Sequence, residues 1–176
     1  MEPQTHATNS PILLTSLALI SLLLSGAIFG FFYAWICSTM WGLDAADPKV
    51  AIAAMQAMNG SVRNAVFAPA FFGTPFVLIL TALIAKRHGR TRAASAFLAA
   101  GVIYFFGGLI ATMMVNVPMN EALALVASPD DPATAAQIWA DYSPKWQVWN
   151  LARTVASGIS LMLTGYALLT LREAKI

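Results

Sequence analysis

AASAFLAAGVIYFFGGLIATMMVNVPMN, residues 93–120, carries no charged side chain. A run longer than the ~20 residues needed to cross a bilayer reads as a membrane-spanning helix. It ends on Asn116-Val-Pro-Met-Asn120. Two asparagines four apart share one helical face. Pro118 between them removes a backbone donor and presses against the carbonyl of Met114. A carboxamide pair and a loosened carbonyl at the bilayer edge are costly unless something satisfies them. They are either interfacial asparagines on a proline-kinked helix end or one wall of a small-molecule pocket.

Outward from this stretch the chain repeats the same theme. Pro11 to Leu43 is uncharged, long enough to span with turns to spare. The polar residues 1–10 contain no Lys or Arg, which argues against a secretory leader. Gly26 and Gly30 form a small-xxx-small face suited to close helix packing, and Phe31, Phe32, Tyr33 and Trp35 place aromatics near the exit interface. Asp47-Pro48 announces a new helix over 49–64, KVAIAAMQAMNGSVRN, too polar to span. A second span follows from about 66 to 85, with Pro69 and Pro75 inside it. The third covers about 93–119. Residues 128–145 read as a polar connection, with Ser128-Pro-Asp-Asp-Pro132 as a turn and an amphipathic piece around Ile138–Tyr142. The fourth span covers about 149–171, and its uncharged body from Thr154 to Leu171 is roughly 27 Å long. The expected fold is all-α: a single integral membrane four-helix bundle, spans about 12–40, 66–85, 93–119 and 149–171, with a short extra helix between the first two.

Composition agrees. The 176 residues are 59% hydrophobic and 10% charged, with a mean hydropathy of +0.69, outside the range of ordinary soluble domains. A net charge of +2 gives no footprint for nucleic acid. The single cysteine, Cys37, rules out an internal disulfide. His6 lies in the polar tail and His88 in a basic loop, so a His-ligated intramembrane cofactor is not expected. Four spans put both termini on one side. Lys86, Arg87, Arg90 and Arg92 in one loop, with Arg172 and Lys175 near the end, place that side in the cytoplasm of an inner (plasma) membrane. Expected partners are membrane lipids, a small aromatic or lipid-like molecule and, as an option, a second copy of the chain.

The polar side chains gather at the outer end. Asn59, Arg63 and Asn64 precede the second span; Asn116 and Asn120 end the third; Trp149, Asn150 and Arg153 begin the fourth. Arginines beside three spans are functional candidates by default, unless they pair with Asp44 or Glu121 or snorkel to headgroups. The sequence contains no metal-ligand cluster, phosphate loop or nucleophile elbow, and Ser38 and Ser157 have no nearby histidine. What remains is donors, amides and aromatics, a lining suited to a flat, oxygenated molecule and to an enolate-like anion.

Four short stretches carry a resemblance: Gly30-Phe-Phe-Tyr33, the Ala51–Asn64 helix with Met-Gln-Ala-Met-Asn59 and Arg63-Asn64, Asn116-Val-Pro-Met-Asn120, and Trp149-Asn-Leu-Ala-Arg153. Taken in order, the sequence resembles the anthrone oxygenase-like family of small four-span membrane proteins. The resemblance implies oxidation of an anthrone to an anthraquinone by molecular oxygen, without metal or flavin and so with no cofactor. In that function Arg63 and Arg153 stabilise a phenolate or enolate, Asn116, Asn120 and Asn150 orient its oxygens, and Glu121 or Asp44 is the base. Asn59, Asn64, Trp149, Asn150 and Tyr33 are substrate-binding candidates, Trp149 as a stacking surface. The alternative is a non-enzymatic membrane protein that binds a lipid or quinone, or a subunit of a membrane assembly.

Overall fold

The structure, a computed structural model, describes residues 9–127 and 129–171, with side chains from residue 12 onward. His6, Ser128, Arg172 and Lys175 lie outside the described residues. Every regular element among the described residues is helical. α1 (Asn9–Ala34) runs through a π-helical turn (Trp35–Thr39) into α2 (Met40–Ala45), forming the first long rod. α3 (Pro48–Ser61) is the short helix, and α4 (Phe67–Arg87) the second rod. The third is α5 (Thr91–Tyr104), two π-helical turns (Phe105–Ile110 and Thr112–Asn116) and α6 (Val117–Ala124). α7 (Pro132–Leu171) is the fourth. All four rods are long and apolar enough to cross a membrane. α1 packs on α4, α4 on α5, α5 on α7 and α7 back on α1, so the spans close a ring in chain order.

The bundle is built for a lipid solvent. Its large apolar side chains face outward, Leu23 at 71% and Leu169 at 72% exposure, while the buried seams hold Ser21, Ser25, Thr74, Thr81, Ser157, Ser160 and Thr164. Helices in hydrocarbon gain nothing from hiding leucine, so small residues and interhelical hydrogen bonds hold them together. Here Ser21 and Thr81 bond at 2.9 Å, Ser160 donates to the carbonyl of Ala100 at 3.0 Å and Tyr104 to that of Phe71 at 3.0 Å. The protein is thus an all-α, multi-pass membrane protein.

The fourth helix is longer than its sequence suggests. Residues 132–145, expected to belong to a polar connection over 128–145, instead form a continuous part of α7, and the helix runs through Pro144. Ala135, Trp139, Tyr142 and Trp146 recur at helical spacing and are all buried, in a cluster with Met40, Ile52 and Met55 of α2 and α3. Asp44 fixes this collar. It accepts from Trp139 Nε1 (2.9 Å), Ser143 Oγ (2.7 Å) and Gln147 Nε2 (2.8 Å). Asp131 caps the start of α7, and the Thr134 hydroxyl, followed by the N–H groups of Thr134 and Ala133, holds its carboxyl below the usual carboxylate range.

Local chemistry sets the other breaks. Asp47 accepts from Lys49 N at 2.8 Å and Pro48 opens α3. Pro118 sits at the start of α6, directly after the π-helical turn Thr112–Asn116. A widened turn is one way to accommodate the ring that would otherwise strike the preceding carbonyl. Gln56 of α3 donates to the carbonyls of Leu123 (2.8 Å) and Val126 (2.9 Å) at the end of α6. The Gly26 and Gly30 pair plays no part in packing within the chain, since a Cβ at either would meet nothing within 4 Å. The close approaches are elsewhere. A Cβ on Gly101 would stand 3.1–3.3 Å from Ile79, Leu78 and the Pro75 carbonyl, and one on Gly107 2.5 Å from Ala156 Cβ.

Candidate active site

A cavity of about 570 Å³ opens among α1, α3, α4, the third rod and α7. Its aromatic wall comes from Phe31, Phe32 and Trp35 on the first rod, Phe67 and Phe71 on α4, and Trp146 on α7. Its polar lining is Asn59, Arg63, Asn64, Thr112, Asn120, Glu121 and Arg153. Six of the eleven residues singled out from sequence therefore converge on one space: Asn59, Arg63, Asn64, Asn120, Glu121 and Arg153.

The deep polar group is Arg153, only 4% exposed. Nη2 donates to Asn150 Oδ1 at 2.8 Å and Nη1 to Thr112 Oγ1 at 3.2 Å. Its guanidinium lies 4.7 Å from the Phe32 ring centroid and 5.2 Å from that of Trp146, within cation–π range. Nε is buried with no partner. Among the described residues no carboxylate pairs with it. A desolvated guanidinium without a counter-charge is costly in a protein interior, and neither Asp44 nor Glu121 neutralises it. Asn150 aims the arginine rather than lining the cavity. Its Nδ2 donates to the Phe32 carbonyl at 3.1 Å, so its Oδ1 faces the guanidinium.

The rim is of a different kind. Arg63 Nη2 and Glu121 Oε1 form an ion pair at 3.2 Å, with side chains 61% and 59% exposed. Asn64 borders the cavity but is occupied as the cap of α4. Its Oδ1 accepts from the N–H groups of Val66 and Phe67, and its Nδ2 donates to the Ser61 carbonyl. Asn120 Oδ1 accepts from Tyr142 Oη (2.8 Å) and Trp146 Nε1 (3.0 Å), which leaves its NH₂ as the group it can offer inward. Asn59 Nδ2 is buried without a partner. The wall is rich in donors.

Three other candidates fall outside this lining. Trp149 is 41% exposed on the outside of α7, and Trp146, one turn earlier, supplies the indole instead. Tyr33 is half exposed and stacks on Phe29 with ring centroids 5.6 Å apart; its neighbour Phe32 faces the cavity. Asn116 is fully buried with neither amide atom partnered, and does not border the cavity. Asp44 is committed to the collar. A sequence signal for Trp146 existed, since 146, 150 and 153 fall on one helical stripe. Thr112 likewise stands four before Asn116.

The sequence model described as anthrone oxygenase matches residues 61–163, more than half of the chain. The chain belongs to the anthrone oxygenase family. No curated protein and no solved structure matches it. The region shared with the anthrone oxygenase model begins at the rim and ends beyond Arg153, so it takes in Arg63, Thr112, Asn120, Glu121, Trp146 and Arg153. The wall from Phe31 to Trp35, and Asn59, lie before it. The polar end of the cavity therefore falls within the matched region, while part of its aromatic wall lies outside it. Among the described residues no three His, Cys, Asp or Glu side chains are grouped to hold a metal ion.

Proposed function

We propose that the protein is a membrane oxygenase that converts a phenolic, anthrone-like substrate to a quinone with molecular oxygen and without a cofactor. The observation that supports this most is Arg153: a buried cation with no carboxylate partner, set against an aromatic cavity. An anthrone that loses a proton from its central methylene becomes an enolate whose charge rests on oxygen. Arg153, with the amide NH₂ of Asn120, supplies fixed dipoles where that charge develops. Glu121, the carboxylate at the cavity, takes the proton, and Arg63 holds it in place. The electron-rich anion reduces O₂. Recombination at the methylene carbon gives a hydroperoxide, and loss of water gives the quinone, so one O₂ yields one quinone and one H₂O.

Protein in liposomes, treated with chelator and supplied with a hydroxylated anthrone, should consume one O₂ per quinone formed, well above protein-free liposomes. Tight binding without faster oxidation would favour the second function, a quinone or lipid binder. The observation on that side is that Glu121 is already engaged with Arg63.

The orientation follows from charge: an inner-membrane protein with both termini in the cytoplasm and the cavity at the outer end. A reporter fused after Arg90 should be cytoplasmic and one after Asp131 external. Both on the same side would remove this topology.

A further inference from the structure

We infer that the cavity is loaded sideways from the bilayer, through a gap between α4 and the outer half of the third rod, by a membrane-dissolved aromatic that binds with one oxygen ionised. This rests on the reading of the protein as membrane-embedded and deepens the substrate class proposed above.

The gap is a feature of helix packing. α4 lies along α5, approaches only the edge of Phe105–Ile110, and its Cα atoms stay more than 8 Å from those of Thr112–Ala124. Two glycines of the rod with close interhelical neighbours, Gly101 and Gly107, flank this divergence. Gly101 lets α5 close on α4 in the inner half, where a Cβ would crowd Leu78, Ile79 and the Pro75 carbonyl. Two turns later Gly107 brings the same rod against Ala156 of α7. The rod thus keeps α7 beside it along its length but parts from α4 part-way across, and the π-helical turns fall where it does so.

Phe72 on α4 and Met113 on the third rod mark the two sides of the gap. Both border the cavity, and both are exposed on the outer surface, at 47% and 42%. They belong to the interior and to the lipid-facing surface at once, as a mouth requires. The residues next to it, Phe76 and Met114, are also apolar and exposed. The water end is furnished differently. There the Arg63–Glu121 pair bridges from the segment before α4 to α6, across the top of the same gap. A charged strap spans the aqueous rim, and the side toward hydrocarbon carries none.

The charge requirement comes from counting what the cavity holds. Arg63 and Glu121 cancel, leaving Arg153 as the one cation without a counter-ion among the described lining residues. An occupant with a single anionic oxygen neutralises the site, while a neutral ether leaves the guanidinium unmatched. The ring wall around Phe32, Phe71 and Trp146 selects a flat body over a flexible chain.

The test uses ligands that are already oxidised, so it reads independently of catalysis: 1,8-dihydroxyanthraquinone, whose visible band moves to the red on deprotonation, and its dimethyl ether. In a Cys37→Ser background in liposomes, Met113→Cys and Ala65→Cys are each labelled with a bulky thiol reagent, the first at the gap and the second on the rim segment. Labelled Met113→Cys should bind the dihydroxy ligand at least tenfold more slowly, with the same extent of binding after long incubation. Labelled Ala65→Cys should bind at the parent rate. The unlabelled variants show whether the cavity remains intact. The bound ligand should carry the red-shifted band, the ether should bind at least tenfold more weakly, and that preference should vanish in Arg153→Met. Slowing at Ala65 rather than Met113, or at both equally, overturns entry from the bilayer. Equal affinity for ether and phenol overturns the anion. Oleate binding more tightly than the quinone overturns the aromatic class and makes the occupant a lipid acid. Binding as expected with no oxygen uptake would leave this inference standing and remove the enzymatic function.

Discussion

Replacing Arg153 by lysine should lower turnover about a hundredfold while the protein still inserts and keeps its helix content. Lysine preserves the charge, so a large effect isolates geometry. The arginine reaches Asn150 and Thr112 with separate nitrogens and presents a flat face to Phe32 and Trp146, and an ammonium cannot do these things together. Losing one preorganised donor from a water-poor site commonly costs on the order of 3 kcal/mol in the transition state. Arg153→Met separates the two contributions further. It removes a buried charge that no carboxylate balances, which is often neutral or stabilising, at the expense of leaving Asn150 Oδ1 without its donor. Activity should vanish with a change in melting temperature of only a few degrees. The check is a paired measurement of thermal unfolding and initial rate in liposomes. Near-parental turnover by the lysine variant would show that charge alone suffices; loss of rate and fold in parallel would make Arg153 a structural residue.

The second large effect concerns stability and separates the two carboxylates. Asp44→Leu should destabilise the protein by about 3 kcal/mol, because Trp139 Nε1 and Ser143 Oγ lose their acceptor while remaining buried. Asp44→Asn should be mild, since a carboxamide oxygen still accepts from both. If Glu121 is the base, Asp44→Asn turns over normally per folded molecule and Glu121→Gln does not. The deciding data are initial rates normalised to the folded fraction by circular dichroism. A fully folded but inactive Asp44→Asn variant would return the base to Asp44.

The four long helices were legible because absence of charge over more than a bilayer's length is a strong constraint, and residues 93–120 meet it without ambiguity. The convergence of Arg63, Asn120, Glu121 and Arg153 was legible for a related reason: each stands at the end of an apolar run, and four spans bring alternate ends together. The first half of α7 was not. The mixed polarity of residues 128–145 suggested a connection, but the buried positions there answer to α3 and Asp44 and not to lipid. Rotational position was the other blind spot. Tyr33 lies one residue from Phe32, and Trp149 one turn from Trp146, the aromatics that line the cavity. Aromatics occur on more than one face of both helices, so composition alone does not say which of them turns inward.

The parting of α4 from the third rod also bears on the second reactant. Dioxygen dissolves more readily in hydrocarbon than in water, as do fused aromatic rings. If the mouth meets the acyl chains as proposed, the cavity samples both from the phase in which each is concentrated, and the proposed reaction returns an equally oily product to it. For a reaction that consumes oxygen, the bilayer is then both the reservoir and the outlet, and the supply of either reactant depends on membrane partition rather than on its concentration in water.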